Sequence, residues 1–230
     1  MVKRILSNLL LAAFAAGFLL TALPAQGARF TDVKSSTNYR RAIERLQERG
    51  VVEGYEDGSF RPKSTLNRAE FLKIVLEGRA EDQTFTGANC FPDVKYQWFA
   101  RYVCTAQDEG IIDGYPDGTF KPEREINFVE AGKILSLAFG QEMQQQTPVW
   151  YEGYVRALEG SKAIPPSINR LEKLVDRGEM SEMMWRLTDG ITDEPSKGYL
   201  NVKYPDVSVD LSSDRPQYAE TCADLKAFAD

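Results

Sequence analysis

The sequence Gly-Tyr-Glu-Asp-Gly-Ser-Phe-Arg-Pro at residues 54–62 returns, 60 positions later, as Gly-Tyr-Pro-Asp-Gly-Thr-Phe-Lys-Pro at residues 114–122. Glu70 returns as Glu130 at the same shift. Self-similarity at a fixed period is typical of repeat architectures, in which each repeat needs its neighbours to bury its apolar face. The chain is therefore predicted to be built from such repeats.

Each repeat begins with the same short motif and continues into a helix. Phe-Thr-Asp-Val at residues 30–33 matches Phe-Pro-Asp-Val at residues 91–94, and the segment after each has the i, i+4, i+7 apolar spacing of a helix. Gly50 and Gly110 follow these segments, and glycine commonly adopts the left-handed conformation that ends a helix. The apolar residues are Tyr39, Ile43 and Leu46 in the first copy and Phe99, Val103 and Ala106 in the second.

A second helix follows the Gly-Tyr stretch in each copy. The Asp-Gly pair in that stretch predicts a tight turn, its Phe is expected to pack inward, and its Pro blocks further pairing. Asn67 is followed three residues later by Glu70, and Asn127 by Glu130. This spacing predicts a capping box, in which the Asn side chain accepts from a free helix N–H and the Glu side chain accepts from the Asn N–H.

A third copy follows in a more degenerate form. Trp-Tyr at residues 150–151 corresponds to Trp-Phe at residues 98–99, and Asp-Arg-Gly-Glu at residues 176–179 repeats the capping box. The Gly-Tyr-x-Asp-Gly turn is missing, and a shorter link through Pro165 and Pro166 takes its place. The apolar stripe after the capping box is predicted to pack in the core and not to hold a cofactor. Its members are Met180, Met183, Met184 and Leu187.

These motifs resemble the S-layer homology family, whose signature combines a Phe-x-Asp start, a Gly-Tyr-x-Asp-Gly-x-Phe-x-Pro turn and a Thr-Arg-Ala-Glu helix start. The resemblance extends over about residues 30–190. It implies a mainly α fold in which three helix-loop-helix repeats form a pseudo-threefold helical bundle. The predicted units are a signal peptide at 1–27, repeat 1 at 28–80, repeat 2 at 88–140, a degenerate repeat 3 at 147–191, and a tail at 192–230 that resembles part of a fourth repeat.

The resemblance also implies a function. Members of this family bind anionic wall polysaccharides, often pyruvylated, in grooves between repeats and without covalent chemistry. The resemblance therefore implies a non-catalytic protein at the cell wall or cell surface. An arginine at a helix start can hold a carboxylate through two hydrogen bonds, a tryptophan can stack on a sugar, and a glycine lets the backbone approach it closely. The implied ligand residues are Arg68, Arg177, Gly54, Gly114, Asp32, Asp93, Trp98 and Trp150, with no cofactor and no metal.

Departures from the signature limit the number of grooves. Phe128 stands where repeats 1 and 3 have arginine, so its pocket is not expected to hold a carboxylate. Repeat 3 also lacks the Gly-Tyr turn, so one or two functional grooves are expected, and not three. Arg68 is expected to be exposed at its helix start. For each arginine the alternative role is a solvated helix end, and for Trp98 and Trp150 it is core packing.

The start of the chain and its composition indicate an exported protein. Lys3 and Arg4 precede an apolar run from Ile5 to Leu23, and small residues follow, as in a cleaved signal peptide. The alternative is one membrane-spanning anchor, because the run approaches the length that crosses a bilayer. The cleaved chain would have no membrane segment and would be acidic, which disfavours nucleic acid. The chain has no histidine, which removes Ser-His-Asp and Cys-His nucleophiles and histidine-ligated metals.

Three other functions fit parts of the sequence. Glu70, Glu130 and Glu179 suggest a glycoside hydrolase, but capping explains each of them. The Asp-Gly pairs at 57–58 and 117–118 suggest calcium, but their surroundings offer too few alternating oxygen ligands for an EF-hand loop. The third alternative is a structural envelope subunit whose repeats bind other surface proteins and not a glycan.

Three cysteines in an exported chain make a disulfide plausible and leave one thiol over. Cys90 and Cys104 lie in the same repeat, where a short turn could bring them together, so we predict that these two form the bond. Cys222 lies in the tail, where Tyr-Pro-Asp-Val at residues 204–207 echoes the opening motif. A half-repeat cannot bury its own apolar face, so this segment either docks on the bundle or forms a loosely held tail.

Overall fold

The structure, a computed structural model, describes residues 29–79, 84–143 and 148–205. Within these ranges it contains seven helices and no strand, which confirms the mainly α class. The helices are α1 (Arg40–Glu48), α2 (Arg68–Arg79), α3 (Ala100–Asp108), α4 (Phe128–Ala138), α5 (Glu152–Gly160), α6 (Arg177–Asp189) and α7 (Tyr199–Lys203). The first six form three consecutive pairs, one for each predicted repeat.

Glycine follows the first helix of repeats 1 and 2. Gly50 and Gly110 have φ angles of 70° and 71°, a left-handed conformation that is readily accessible to glycine. The chain then turns back onto the helix, and the Val51 N–H donates to the Leu46 carbonyl at 2.9 Å. This cap directs the chain toward the turn that contains the Gly-Tyr motif.

An aspartate outside the Gly-Tyr turn holds it in place. Asp32, from the opening motif, accepts hydrogen bonds from the backbone N–H groups of Phe60 and Arg61, both at 2.7 Å. Asp93 holds the equivalent two residues of repeat 2 at 3.0 and 2.7 Å. The Phe60 ring is fully buried, with its centroid 5.0 Å from that of Phe30, so the phenylalanine packs inward as predicted.

Capping boxes begin the second helix of each repeat, as predicted. The Asn127 side chain accepts from the Glu130 N–H at 3.0 Å, and the Glu130 side chain accepts from the Asn127 N–H at 3.3 Å. Asp176 and Glu179 make the same reciprocal pair at 2.8 and 3.1 Å. Equivalent bonds of 2.9 and 3.1 Å occur at the start of α2. The glutamate N–H at each of these helix starts is therefore satisfied locally.

The starts of α2, α4 and α6 contact one another in a ring. In each case the first helical N–H donates to a backbone carbonyl in the turn of the next repeat, with repeat 3 followed by repeat 1. The pairs are Arg68 to Arg124 (2.9 Å), Phe128 to Lys173 (2.8 Å) and Arg177 to Ser64 (2.9 Å). This cyclic order supports the pseudo-threefold arrangement, which stays a prediction.

The apolar stripe of α6 lies in a core that all three repeats share. Met180, Met183 and Met184 are fully buried, and α6 packs against α1 and α2. These methionines therefore pack in the core, as predicted.

Cys90 and Cys104 are bonded to each other, which confirms the predicted disulfide. The bond joins the segment before the opening motif of repeat 2 to α3. Phe85, five residues before Cys90, packs its ring 4.9 Å from that of Tyr102 on the same helix. Covalent and apolar contacts together tie this segment to α3.

The helix α7 was not predicted from the sequence patterns. Tyr199 and Val202 are buried, and α7 packs on α5. The predicted signal peptide, Cys222 and the part of the tail after residue 205 lie outside the described residues. Within the described ranges, no helix is both long enough and apolar enough to cross a bilayer.

Candidate functional site

Both predicted ligand arginines are buried, which corrects the expectation that Arg68 is exposed. The exposed fractions are 7% for Arg68 and 9% for Arg177. Each side chain reaches into the turn of the next repeat instead of extending into solvent. The Nε of Arg68 donates to the Phe120 carbonyl at 3.0 Å, and that of Arg177 donates to the Phe60 carbonyl at 2.8 Å. The two arginines therefore join neighbouring repeats.

Each buried guanidinium also lies over aromatic rings of that turn. The central carbon of the Arg68 guanidinium is 4.7 Å from the Tyr115 ring centroid and 4.8 Å from that of Phe120. Arg177 lies over the equivalent rings of repeat 1 at 5.2 and 4.4 Å. Burial lowers the pKa of both guanidinium groups, because the charged form loses solvation. Arginine nevertheless remains charged in proteins, so each site keeps a cation held against aromatic faces.

The Arg68 groove is a cavity of about 330 Å³ between repeats. It takes Arg68 from repeat 1, Gly114, Tyr115 and Lys133 from repeat 2, and Trp150 from repeat 3. Its other lining residues are Ile111, Ile112, Asp113, Pro116, Glu130 and Ile134. Three of the predicted ligand residues, each from a different repeat, thus meet in one cavity.

The Arg177 groove, of about 210 Å³, contains the equivalent arginine, glycine, tyrosine, lysine and tryptophan. It takes Arg177 from repeat 3, Gly54, Tyr55 and Lys73 from repeat 1, and Trp98 from repeat 2. Its other lining residues are Val51, Glu53, Glu70 and Ile74. The Arg177 groove is thus shifted back by one repeat around the ring. Its arginine comes from repeat 3 instead of repeat 1, its glycine, tyrosine and lysine from repeat 1 instead of repeat 2, and its tryptophan from repeat 2 instead of repeat 3.

Both predicted ligand tryptophans are half exposed, at 55% for Trp98 and 56% for Trp150. Each ring stands edge-on to the ring of the following residue, Phe99 or Tyr151. This exposure contradicts the alternative of core packing. It places a flat apolar surface in the lining of each groove, together with the buried cation.

Each groove also contains a lysine that the predicted ligand set omits. Lys73 and Lys133 lie 60 positions apart, and this match to the shift of the repeated turn is the signal that could have identified them. The Lys133 ammonium is 2.6 Å from the Asp113 carboxylate, and the Lys73 ammonium is 2.8 Å from that of Glu77. Each groove thus combines one buried, stacked cation with one partly exposed cation.

Gly54 and Gly114 are required by the turn itself. A Cβ at Gly54 would lie 2.6 Å from the Phe30 ring and 2.8 Å from the Ser59 carbonyl oxygen. Gly114 has a φ of +77°, and its Cβ would lie 2.6 Å from the Phe91 ring. Because both glycines line a groove, bare backbone forms part of each groove surface.

Asp32 and Asp93 do not line either groove. Their carboxylates accept the N–H bonds that fix the Gly-Tyr turns. They act on the grooves by holding those turns, and their direct contact with a ligand stays a prediction.

The interface between repeats 2 and 3 has lost this set of residues. When the three repeats are aligned, Phe128 occupies the position of the arginine and Pro166 that of the turn glycine. Glu182 occupies the position of the lysine, and Asn38 that of the tryptophan. Phe128 is fully buried. The cavity of about 370 Å³ that contains Pro166 and Glu182 is lined by repeats 1 and 3 and the tail, with Arg40, Arg41 and Arg186 but no residue of repeat 2. A buried ion pair of 2.6 Å joins Glu182 to Arg186. The arginine, glycine, lysine and tryptophan therefore occur together in the Arg68 and Arg177 grooves, and not at the equivalent positions of this interface.

Comparison with known proteins points to one family. Residues 29–72 and 91–131 match the family model of the S-layer homology domain. The chain is 30% identical over 79% of its length to the middle cell wall protein of Brevibacillus brevis, and 31% identical over 61% of its length to a surface layer protein of Brevibacillus choshinensis. It is 31% identical over 46% of its length to a cellulosome-anchoring protein of Acetivibrio thermocellus. The matches span only 18%, 13% and 25% of these relatives, respectively.

Proposed function

Because the chain carries S-layer homology repeats at residues 29–72 and 91–131, we propose that it is an exported, non-catalytic surface protein attached to the cell wall. The Arg68 and Arg177 grooves would hold an anionic wall polysaccharide, and a pyruvylated sugar is the candidate ligand. The names of the three relatives describe a cell wall protein, a surface layer protein and an anchoring protein. We also propose that the repeats extend over 28–80, 88–140 and 147–191.

The occurrence of one residue set in two grooves carries this proposal. Arginine, Gly-Tyr, lysine and tryptophan come from three different repeats in each groove, in the same cyclic order. The third interface has lost the arginine, the glycine, the lysine and the tryptophan together. Residues that occur as a set and are lost as a set are what a shared ligand requires, whereas a structural requirement would apply to all three interfaces.

The set suits a sugar that carries a carboxylate. An arginine and a lysine offer charge-assisted hydrogen bonds to the carboxylate, and an exposed indole offers a stacking surface for the ring. The two volumes, about 330 and 210 Å³, lie near or below the lower end of the range of about 300–1,000 Å³ that is usual for small-molecule sites. That size favours a terminal sugar over a longer stretch of polymer.

The repeated glutamates are assigned to structure. Glu130 and Glu179 cap their helices and also accept bonds from Arg124 and Lys173, respectively. Glu70 caps α2. A carboxylate committed in this way is poorly placed for general acid-base work, so binding without bond cleavage is the function that we propose.

Sedimentation with purified walls, before and after removal of the wall polysaccharide, tests the proposal. We expect the protein to sediment only with walls that retain the polysaccharide, and we expect Trp98→Ala together with Trp150→Ala to abolish this sedimentation. Tyr96→Ala is the matched control, because Tyr96 is an aromatic residue that is 81% exposed and lines neither groove. Undiminished sedimentation of the double variant would contradict the proposal.

The alternative is a structural subunit whose repeats bind other envelope proteins. The third interface favours it, since Phe128 and Glu182 stand there at the positions of the arginine and the lysine of the other two grooves. This alternative predicts sedimentation with envelopes that have lost the polysaccharide but kept their proteins, and no effect of the paired tryptophan substitutions.

A further inference from the structure

The Arg68 and Arg177 grooves share a residue set but differ in the contacts of their glutamate, their arginine and their lysine. We propose that the Arg68 groove is the higher-affinity site for a carboxylate ligand, and that Arg124 is the positioning residue responsible. The inference rests on the proposed function, because it assumes that both grooves bind the same anionic sugar. Arg124 lies outside the lining of both grooves and acts through two residues that line one of them.

Arg124 neutralises the glutamate of the Arg68 groove. Its Nη1 donates to Glu130 Oε1 at 2.8 Å, and the Tyr115 hydroxyl donates to the same oxygen at 2.8 Å. Arg124 also donates to the Tyr115 hydroxyl. The second oxygen of Glu130 accepts the capping bond from Asn127. Both oxygens are therefore occupied, and a cation balances the charge that would otherwise repel an anionic ligand.

The Arg177 groove has no counterpart of this cation. Ser64 occupies the position 60 residues before Arg124, at which the repeat would place an equivalent arginine. Glu70 keeps its capping bond through Oε2 at 3.1 Å. Within the part of the chain that the structure describes, no hydrogen bond reaches Glu70 Oε1. Arg177 interacts electrostatically with Glu70, as Arg68 does with Glu130, but no second cation equivalent to Arg124 balances the Glu70 charge. The remaining charge of Glu70 disfavours a carboxylate.

The two buried arginines also differ in the nitrogens left for a ligand. Arg177 spends Nε on the Phe60 carbonyl and Nη2 on the Glu53 carbonyl, both at 2.8 Å. Arg68 spends only Nε in this way, on the Phe120 carbonyl. Among the described residues neither Nη of Arg68 makes a hydrogen bond, since even Glu130 is 3.9 Å from Nη1. Arg68 therefore keeps all four Nη hydrogens for a carboxylate, whereas Arg177 keeps three and has its Nη2 already held by a backbone carbonyl.

The pairing of the two lysines also favours ligand binding in the Arg68 groove. Lys133 pairs with Asp113, whose side chain is 74% exposed, so water weakens that pair and leaves the ammonium available. Lys73 pairs with Glu77, whose side chain is only 26% exposed. Leu137 occupies the position equivalent to Glu77 in repeat 2, so no similar carboxylate holds Lys133 from its own helix.

Three tryptophans allow the grooves to be followed separately in the unmodified protein. The indole N–H signals are recorded by NMR while a methyl hexopyranoside with a 4,6-linked pyruvate ketal is added. Trp150 reports the Arg68 groove, Trp98 reports the Arg177 groove, and the buried Trp185 reports the fold. We expect the Trp150 signal to reach half-saturation at a ligand concentration about fivefold lower than the Trp98 signal, and the gap to narrow in high salt.

Exchanging the differing residues tests the role of Arg124. Arg124→Ser should raise the Trp150 midpoint about fivefold without moving the Trp98 midpoint, and Arg124→Lys, which keeps the charge, should retain most of the difference. The reciprocal Ser64→Arg should lower the Trp98 midpoint. This gain of affinity is a result that partial unfolding cannot imitate.

Equal midpoints in the unmodified protein, or an Arg124→Ser variant with an unchanged Trp150 midpoint, would overturn this inference alone. Absence of saturable binding at both tryptophans would overturn the proposed function together with it. The same hexoside without its ketal is the control ligand. If it bound as well as the ketal, the carboxylate would play no part, and the inference would again be wrong.

Discussion

Under the proposed function, a buried arginine that also lines a groove has two roles in one side chain. Arg68 and Arg177 each hold the turn of a neighbouring repeat through Nε and through stacking. Removing either side chain leaves a buried carbonyl without its donor, which costs about 1–3 kcal/mol. The proposed ligand binding would therefore be coupled to the docking of neighbouring repeats at these positions. The partly exposed lysines offer a cleaner test of binding.

Arg68→Ala is accordingly expected to lower the free energy of unfolding by about 2 kcal/mol as well as to weaken binding. Lys133→Met should weaken binding but change the free energy of unfolding by less than about 0.5 kcal/mol, because its ion pair is largely solvated. Urea unfolding measured beside a ligand titration separates the two effects. An Arg68→Ala variant as stable as the native protein would show that the arginine does not join the repeats.

Asp57 and Asp117, the aspartates within the two Gly-Tyr turns, predict a loss of stability in acid. The Ser59 hydroxyl and N–H donate to Asp57 and lower its pKa from 3.8 to about 2. The pKa of Asp117 is also lowered, first by the Lys121 ammonium and then by Thr119. Because the folded-state pKa lies below the unfolded value, the stabilisation is present above about pH 4 and is lost as the pH falls toward about 2.

We therefore expect Asp57→Asn with Asp117→Asn to reduce the fall in melting temperature between about pH 4 and pH 2. The native protein, scanned over the same pH range, is the reference. Parallel curves for the variant and the native protein would show that these carboxylates do not contribute to the acid sensitivity.

At the scale of elements, local signals determine how much was predictable. Helices α1 to α4 and α6 follow from glycine caps, capping boxes and apolar stripes, all of which are read within one segment. Helix α5 follows from the match of Trp-Tyr at residues 150–151 to Trp-Phe at residues 98–99. Helix α7 has only five residues, and the burial of Tyr199 depends on its contact with α5. No pattern inside such a short segment predicts that contact.

The grooves show the same limit at longer range. The sequence identified Arg68 and Trp150 as groove residues. It did not predict that Arg68 contacts the turn of repeat 2, or that Trp150 of repeat 3 lines the same groove. Spacing along the chain does not say which repeat an arginine reaches across the ring. The burial of Arg68 was missed for the same reason, because it depends on Phe120 and Tyr115 of the neighbouring repeat.

The capping box at α4 gives a test at this scale. Asn127→Ala removes the side-chain acceptor for the Glu130 N–H, and we expect the free energy of unfolding to fall by about 1 kcal/mol. Asn127→Asp keeps an acceptor at a helix start that favours negative charge, so it should retain native stability. If thermal unfolding gave the same midpoint for the alanine and aspartate variants, the cap would contribute nothing measurable.

At the scale of the whole molecule, the disulfide ties the link between repeats 1 and 2 to α3. Cys90 and Cys104 are 14 positions apart, and in the chain-entropy model a loop of about 15 residues corresponds to about 3 kcal/mol. Replacing both cysteines with alanine should lower the free energy of unfolding by about that amount. Reduction of the native protein should lower the melting temperature similarly, and an unchanged melting temperature on reduction would refute the expectation.

The end of the described chain offers a second test at this scale. A protein ending at residue 197 lacks Tyr199 and Val202, both buried against the bundle, whereas a protein ending at residue 205 keeps them. Loss of these two side chains from the core should cost about 3 kcal/mol, so the shorter protein should melt at a lower temperature. Equal melting temperatures would show that α7 adds no stability.

The ring of backbone bonds also limits how such a chain can be inherited and recombined. Each of the two grooves is assembled from three repeats, so excision of any one repeat damages both grooves at once. A single repeat moved by gene fusion would carry an arginine without its aromatic partners and a turn without its arginine. The transferable module is the triplet. Within a triplet, function is expected to change by point substitutions such as the phenylalanine at position 128, and not by exchange of whole repeats.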